Sequence, residues 1–194
     1  MFTIDGKLVL LNVKQDYLRA LYDVCTEVYY KPTNYENKPY IGILINNGGR
    51  KYILPLTSAK QKHKKWSNVH CDCFLIYETA NKADMRTEDI WVEMESNSDT
   101  VKHIMSVLDV KKMIPIVDGD YSVVNINPDV SDSEDMKKYK DLLNKEYRFC
   151  LKKMSDILAR VNKLYDKQMK TGKIAKFCCD FKVLEAVADS RETV

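Results

Sequence analysis

Short apolar runs separated by turn residues dominate the first two thirds of the chain. Runs of four to eight such residues, bounded by Gly, Asn or Asp, are typical of β-strands. Asp5-Gly6 lies between two apolar runs and predicts a two-residue hairpin turn, and Asn47-Gly48-Gly49 predicts a second turn. Strands are therefore expected at residues 2–4, 7–13, 40–46, 51–56, 70–78, 90–94, 107–117 and 121–126.

Three other segments carry apolar residues at helical spacing. One is residues 15–30, which ends before Pro32. Another is residues 134–169, and because about 35 residues exceeds a usual globular helix, we expect either a break or one unusually long helix there. Gly172 predicts the end of that region, and Asp180 predicts the cap of a last helix through residue 187. The polar segment 57–68 shows neither period and is expected to be a loop, and the polar, acidic segment 81–100 is expected to be a loop apart from the short strand at residues 90–94.

These elements predict an α+β fold, in which a compact, twisted, mostly antiparallel sheet has flanking helices and the last third is helical. Residues 1–194 are expected to form a single domain, which fits roughly 100–200 residues per domain. An apolar fraction of 45% excludes wholesale disorder. No apolar run approaches the roughly 20 residues of a membrane span, and no secretory signal is visible, so we expect a cytoplasmic protein without a membrane partner.

Six cysteines raise the question of a disulfide or metal site. The best metal candidate combines His63, His70, Cys71 and Cys73, but only one residue separates its cysteines. Paired zinc-binding cysteines usually lie two to four residues apart. Alternation along residues 70–78 would instead place both thiols on one buried strand face. The sequence therefore predicts reduced cysteines, no metal and no cofactor.

The net charge of +3 is unevenly distributed along the chain. Residues 50–65 hold six basic residues and no acid, whereas residues 118–135 hold six acids and no base. Residues 137–182 hold 14 basic residues against five acidic ones. Such asymmetry indicates a polyanionic partner. The alternative is that lysine-rich helices simply expose solvated faces.

Residues 54–66 pass directly from an apolar strand into a basic segment. Thr57 and Ser58 end the strand, and Lys60 follows two residues after Ser58. Hydroxyl and ammonium groups at a rigid strand end can surround a phosphate, and an aromatic ring nearby can stack on a base. The candidate RNA-binding residues are Lys62, His63, Lys64, Lys65 and Trp66. The alternative is a basic surface loop whose hydroxyls cap the local backbone.

Tyrosines and lysines also alternate in the segment before the strand at residue 40. Lys31, Tyr35 and Lys38 lie in this segment. Single-stranded RNA is often recognised by such mixtures of aromatic and basic groups. The alternative is that the tyrosines pack at the edge of a loop.

These two segments resemble the ToxN/AbiQ family, the endoribonuclease toxins of type III toxin–antitoxin systems. A CptN-like subgroup is compatible with the same residues. The resemblance spans most of the chain except residues 81–100. It rests on Tyr35-x-Asn37-Lys38-Pro39-Tyr40-Ile41-Gly42-Ile43, Pro55-Leu56-Thr57-Ser58-x-Lys60, Met113-Ile114-Pro115-Ile116, Gly172-Lys173 and Cys178-x-Asp180-Phe181.

The resemblance implies a MazF-like toxin core and sequence-specific, metal-independent cleavage of single-stranded RNA. The products would carry 2′,3′-cyclic phosphate and 5′-hydroxyl ends. The substrate would be cellular or phage mRNA, and the inhibitor a small structured repeat RNA that the toxin processes and that assembles with several toxin copies. The family's active-site positions fall on Tyr17, Tyr35, Lys38, Thr57, Ser58 and Lys60.

Metal-free cleavage requires the 2′-hydroxyl to attack phosphorus in line with the leaving 5′-oxygen. Lys60 would neutralise the phosphate and, if buried, could protonate the leaving oxygen. Thr57 and Ser58 would donate to the same oxygens, and Tyr17 or Tyr35 would orient the ribose or a base. No general base is evident. Two other functions stay open: a non-catalytic RNA-binding module, and a toxin with a protein target.

Overall fold

The backbone is described over residues 1–31, 39–45, 48–94 and 97–192, as a computed structural model. The strands are β1 (Thr3–Ile4), β2 (Leu10–Val13), β3 (Tyr40–Ile45), β4 (Lys51–Ser58), β5 (Val69–His70), β6 (Cys73–Asn81), β7 (Trp91–Met94), β8 (Asn97–Asp109), β9 (Ile114–Pro115) and β10 (Tyr121–Val123). The α-helices are α1 (Gln15–Val24), α2 (Glu134–Lys152), α3 (Met154–Thr171) and α4 (Phe181–Glu192).

The chain forms two compact units, each discontinuous in sequence. The first unit comprises Met1–Leu56, Asp109–Asn125 and Lys153–Val194. The second unit comprises Thr57–Leu108 and Ile126–Lys152. The single domain expected for residues 1–194 stays a prediction.

Antiparallel strands in the order β10-β2-β3-β4 form the sheet of the first unit. β1 and β2 do not form the hairpin predicted at Asp5-Gly6, because both pair with β3. Thr3 lies opposite Ile45, whereas Leu10 lies opposite Ile41. β1 and β2 therefore run in the same direction along β3, and the residues between them do not reverse the chain.

Four aromatic rings form the core between β4, α3 and α4 in the first unit. Phe2, Tyr52, Tyr165 and Phe181 have ring centroids between 5.0 and 6.2 Å apart, mostly edge to face. The hydroxyls of Tyr52 and Tyr165 donate to Glu185 Oε1 at 2.8 and 2.7 Å. Because the buried phenol of Tyr52 and the half-buried phenol of Tyr165 each have an acceptor, the cluster buries aromatic area and leaves neither hydroxyl without a partner.

The second unit contains a sheet in the order β8-β6-β5, to which β7 adds antiparallel to β8. Its apolar core is the cluster of Cys73, Leu75, Ile104 and Val107. Partly buried side chains cover this cluster, namely Ala59, Trp66, Tyr77, Ile90 and Val92. On α2, Phe149 packs at 5.5 Å from the Tyr77 ring.

The single strand predicted at residues 70–78 is wrong, because the chain reverses inside it. Cys71 and Asp72 both have positive φ, 48° and 65°, and form the turn between β5 and β6. Two left-handed residues are what a tight hairpin turn needs, but neither is the glycine that would signal it. Cys71 is consequently exposed while Cys73 is buried, so the predicted pair of buried thiols is wrong for Cys71.

β8 is longer, and lies earlier in the chain, than the sequence predicts. It begins at Asn97, inside the segment expected to be a loop, and pairs with β7 so that Trp91 lies opposite His103. The strand expected at residues 107–117 is wrong as a single element. β8 ends at Asp109, whose carboxylate accepts from the Lys111 amide at 3.1 Å and caps a 3₁₀ turn over Val110–Lys112.

The helices follow the apolar pattern more closely. α1 stops at Val24 instead of residue 30, since Cys25 is extended. Of the two alternatives for residues 134–169, the break is the one observed, and the stop predicted at Gly172, which has φ of 65°, is confirmed. Asp180 accepts from the Lys182 amide at 3.1 Å and caps α4, as predicted. The α+β class, with a mostly antiparallel sheet and a helical last third, is confirmed. Over the described ranges, no helix combines the length and apolarity that crossing a membrane requires.

The aromatic core predicts a large difference between two neighbouring phenylalanines. Phe181 is 0% exposed and Phe177 is 59% exposed. Phe181→Ala should lower the free energy of unfolding by about 3–5 kcal/mol because it leaves a cavity. Phe177→Ala should change it by less than about 0.5 kcal/mol. Urea unfolding followed by circular dichroism measures both, and equal losses would contradict this description of the core.

Candidate active site

β4 carries the chain out of an apolar interior to a solvent-exposed end. Leu54 and Leu56 are buried, Thr57 is half-buried, and Ser58 is exposed. Two contacts within the second unit hold this end beside β8. The Thr57 hydroxyl lies 3.5 Å from the Val107 carbonyl oxygen, and the Ala59 amide donates to the Met105 carbonyl at 3.4 Å. The strand end is therefore a fixed platform.

The alternation of strand side chains sorts the polar groups at this end. Successive side chains point to opposite faces, so Thr57 and Ala59 share one side and Ser58 and Lys60 share the other. Ala59 packs on the apolar cluster, whereas Ser58 and Lys60 are exposed. The backbone of Lys60 is extended, with φ of −137° and ψ of 160°, which continues the alternation. Alternation therefore places Ser58 and Lys60 on the same side, and the expected donation of Thr57 and Ser58 to the same oxygens stays a prediction.

His63 lies beneath the exposed lysines and not among them. It sits in a 3₁₀ helix over Gln61–Lys65 and is 4% exposed. Its Nδ1 accepts from the Lys60 backbone N–H at 2.9 Å, and the His63 backbone N–H donates to the Lys60 carbonyl at 2.8 Å. Burial, together with the charges of Lys62 and Lys60, lowers the pKa of His63. His63 is therefore not a surface residue, and the RNA contact expected of it stays a prediction.

The other predicted RNA-binding residues of this segment lie at its surface. Lys62, Lys64 and Lys65 are exposed, and Trp66 is half-buried. The Trp66 ring stacks on His70 with centroids 4.6 Å apart, and the Lys62 ammonium lies 5.5 Å from the Trp66 centroid. Since His70 contacts one face of the indole, stacking of an RNA base on Trp66 stays a prediction.

Aromatic rings paired with lysines extend beyond the predicted segment. The ammonium groups of Lys64 and Lys82 each lie 5.6 Å from the Trp91 centroid. Lys102 lies 4.5 Å from the Tyr77 centroid. These are cation–π distances. Sequence reasoning missed Trp91 as a candidate because it lies in an acidic segment. The prediction made for this position was structural, namely the short strand at residues 90–94.

The remaining predicted site residues lie elsewhere in the chain. Tyr17, in the first unit, is 0% exposed and donates its hydroxyl to the Pro115 carbonyl at 3.1 Å. Burial raises the pKa of Tyr17. Lys31, also in the first unit, is exposed. Tyr35 and Lys38 lie outside the described residues. The residues from Thr57 to Trp66 therefore lie in one segment of the second unit, and the roles of all the predicted site residues stay predictions.

The metal-binding set considered from the sequence does not assemble. Cys71 is exposed on a turn, Cys73 is buried in the apolar cluster, and His63 accepts from Lys60. Across the part of the chain that the structure describes, no group of three or more His, Cys, Asp or Glu side chains is arranged to hold a metal ion.

The chain is similar in sequence to a named endoribonuclease. Endoribonuclease ToxN of Pectobacterium atrosepticum is 25% identical over 154 residues, which cover 79% of this chain and 75% of the relative. The aligned share is large on both sides, so the similarity concerns most of each protein and not a fragment.

Two solved structures share the fold of this chain. AbiQ, a lactococcal anti-phage endoribonuclease of a type III toxin–antitoxin system, has a TM-score of 0.67 at 20% identity, covering 97% of this chain and 100% of AbiQ. A toxin selectively inhibited by a non-coding RNA pseudoknot, from another type III system, has a TM-score of 0.66 at 19% identity with the same coverage. The expected likeness to MazF-type toxins stays a prediction.

Family membership rests on a match that covers nearly the whole chain. The model of the family described as "Toxin ToxN, type III toxin-antitoxin system" matches residues 9–189. The matched range includes the end of β4 and the basic segment that follows it. The chain therefore belongs to the ToxN family of toxins from type III toxin–antitoxin systems.

Proposed function

We propose that this protein is a toxin that cleaves single-stranded RNA at specific sequences without a metal ion. Its family and the name of its Pectobacterium relative support an endoribonuclease. The observation that carries the proposal is that Ser58 and Lys60 are both exposed where β4 ends, and alternation places them on the same side. A hydroxyl donor beside an ammonium group is a combination suited to one phosphate.

The proposed reaction uses the RNA's own 2′-hydroxyl as the nucleophile. The 2′-oxygen loses its proton and bonds to phosphorus while the bond from phosphorus to the 5′-oxygen breaks, and that oxygen gains a proton. The products are a 2′,3′-cyclic phosphate and a 5′-hydroxyl. Lys60 balances the charge that grows on the phosphoryl oxygens, and Ser58 donates a hydrogen bond to them.

Lys60 is not proposed as the proton donor to the leaving oxygen. That role depended on burial of its ammonium group, and the Lys60 side chain is exposed. Thr57, on the other side of the strand, supports the platform through its contact with the Val107 carbonyl.

A small structured RNA is the proposed inhibitor. The exposed Lys62, Lys64 and Lys65 give this end of the second unit the positive charge that phosphates need. The solved toxin inhibited by an RNA pseudoknot supports the same class of partner here. By analogy with AbiQ, an anti-phage endoribonuclease, cellular or phage mRNA is the proposed substrate. We also propose that the protein acts in the cytoplasm, processes its repeat RNA and assembles with it in several copies.

Ser58→Ala tests the proposed role of the strand end. Loss of one preorganised hydrogen-bond donor should lower the cleavage rate about 10²–10³-fold. The substitution removes no charge, so binding of antitoxin RNA should stay close to wild type. The matched control is Ser67→Ala, an exposed serine whose hydroxyl donates to the Val69 carbonyl, and it should cleave normally. The assay is cleavage of labelled mRNA in EDTA.

Other results, in this assay or in parallel measurements, have distinct meanings. A fully active Ser58→Ala protein would show that the hydroxyl only caps the local backbone. Wild-type protein that binds RNA without cutting it would be an RNA-binding module. Growth arrest without any effect on RNA would indicate a protein target. Circular dichroism identifies a variant that fails to fold.

Salt dependence tests the proposed RNA-binding surface. Each single-strand phosphate contact contributes about 0.7 to the slope of log affinity against log salt. Replacing Lys62, Lys64 and Lys65 together by Gln should therefore reduce that slope by about 2. Titration of antitoxin RNA at several salt concentrations measures it. An unchanged slope would place the RNA elsewhere on the protein.

A further inference from the structure

We infer that His63 is a positioning residue that fixes the main chain of Lys60, an inference that rests on the proposed function of Lys60. The imidazole Nδ1 accepts from the Lys60 N–H at 2.9 Å. The backbone N–H of His63 donates to the Lys60 carbonyl at 2.8 Å, as part of the 3₁₀ turn. One residue thus holds both sides of the Lys60 backbone.

Packing ties the imidazole to the core of the second unit. The His63 and Trp66 rings have centroids 4.5 Å apart, and Trp66 packs against the apolar cluster that contains Leu75 and Val107. On its other side, the chain before Lys60 is anchored where the Ala59 amide meets the Met105 carbonyl. These contacts restrain the backbone of Lys60, whereas its side chain is exposed. Catalysis by positioning needs such a fixed base, because small displacements of a reacting group cost rate.

The contact with Lys60 requires a neutral imidazole. Nδ1 can accept only when it carries no proton, so the proton of neutral His63 lies on Nε2. The charged groups acting on the ring are Lys60 and Lys62 of its own segment. Trp66 contacts the ring, and His70 of β5 stacks on the far side of Trp66. Burial and the two lysines lower the pKa of His63 from its ordinary 6.5, so Nδ1 is free to accept at neutral pH.

Acid should therefore release Lys60. As the pH falls through the lowered pKa, Nδ1 gains a proton and two donors face each other. The turnover number kcat should decline below pH 6.5, while KM changes little because the exposed lysines still attract RNA. The folded state should also lose stability with acid, since the unfolded chain binds the His63 proton more readily.

Three variants separate positioning from a merely structural role. His63→Leu fills the space but has no acceptor, and should lower kcat about 10–10²-fold with little change in KM. His63→Asn keeps an acceptor near the Nδ1 position, and should recover most of kcat and lack the acidic decline. His103→Asn is the control, because His103 lies beside Glu78 on another part of the second unit. It should keep the wild-type profile.

A second readout does not depend on activity. Hydrogen exchange of the Lys60 amide, followed by NMR, should be slow in wild type and His63→Asn, and fast in His63→Leu. His63→Leu with wild-type kcat and a protected Lys60 amide would overturn the inference. So would an acidic decline that survives in His63→Asn. A Lys60→Ala variant with wild-type kcat would instead overturn the proposed function, and amide exchange would still report whether His63 holds the Lys60 backbone.

Discussion

The alternation of side chains at the end of β4 governs the candidate site. Successive side chains of a strand point to opposite faces. Ala59 packs on the apolar cluster, and Ser58 and Lys60, which alternation places on the opposite face, are exposed although Leu54 and Leu56 of that face are buried. A shift of one residue in strand register would turn Lys60 toward the apolar cluster and Ala59 toward the exposed face. The packing of Ala59 and the exposure of Lys60 therefore depend on the same register.

The site is consequently rigid in its backbone and adjustable in its side chains. The backbone N–H of Ala59 donates a hydrogen bond to the Met105 carbonyl, and that of Lys60 donates to the His63 imidazole. The lysines beyond it are exposed and can follow the path of an RNA backbone. This division suits an enzyme whose chemistry needs one fixed phosphate but whose binding must accept a flexible polymer. It also explains why a buried histidine occurs within a strongly basic segment.

The sequence predicted those features that short-range patterns encode. Helical spacing located α2 and α3 with the break between them, Gly172 and Asp180 marked helix ends, and the β4 end was found from hydroxyls followed by lysine. Features that depend on partners distant in the chain were missed. The polar start of β8 pairs with β7, which comes from a separate part of the same polar segment. His63 looked exposed among lysines, because its burial depends on Trp66 and the cluster beneath.

The reaction proposed at the end of β4 requires the 2′-hydroxyl of the RNA itself. An RNA with one 2′-deoxy nucleotide on the 5′ side of the mapped cleavage site removes that nucleophile and changes little else. The measurement is cleavage of this RNA and of its unmodified twin by wild-type protein in EDTA. We expect the unmodified RNA to be cut and the deoxy-substituted RNA to remain intact at that bond. Equal cleavage of both would contradict attack by the 2′-hydroxyl.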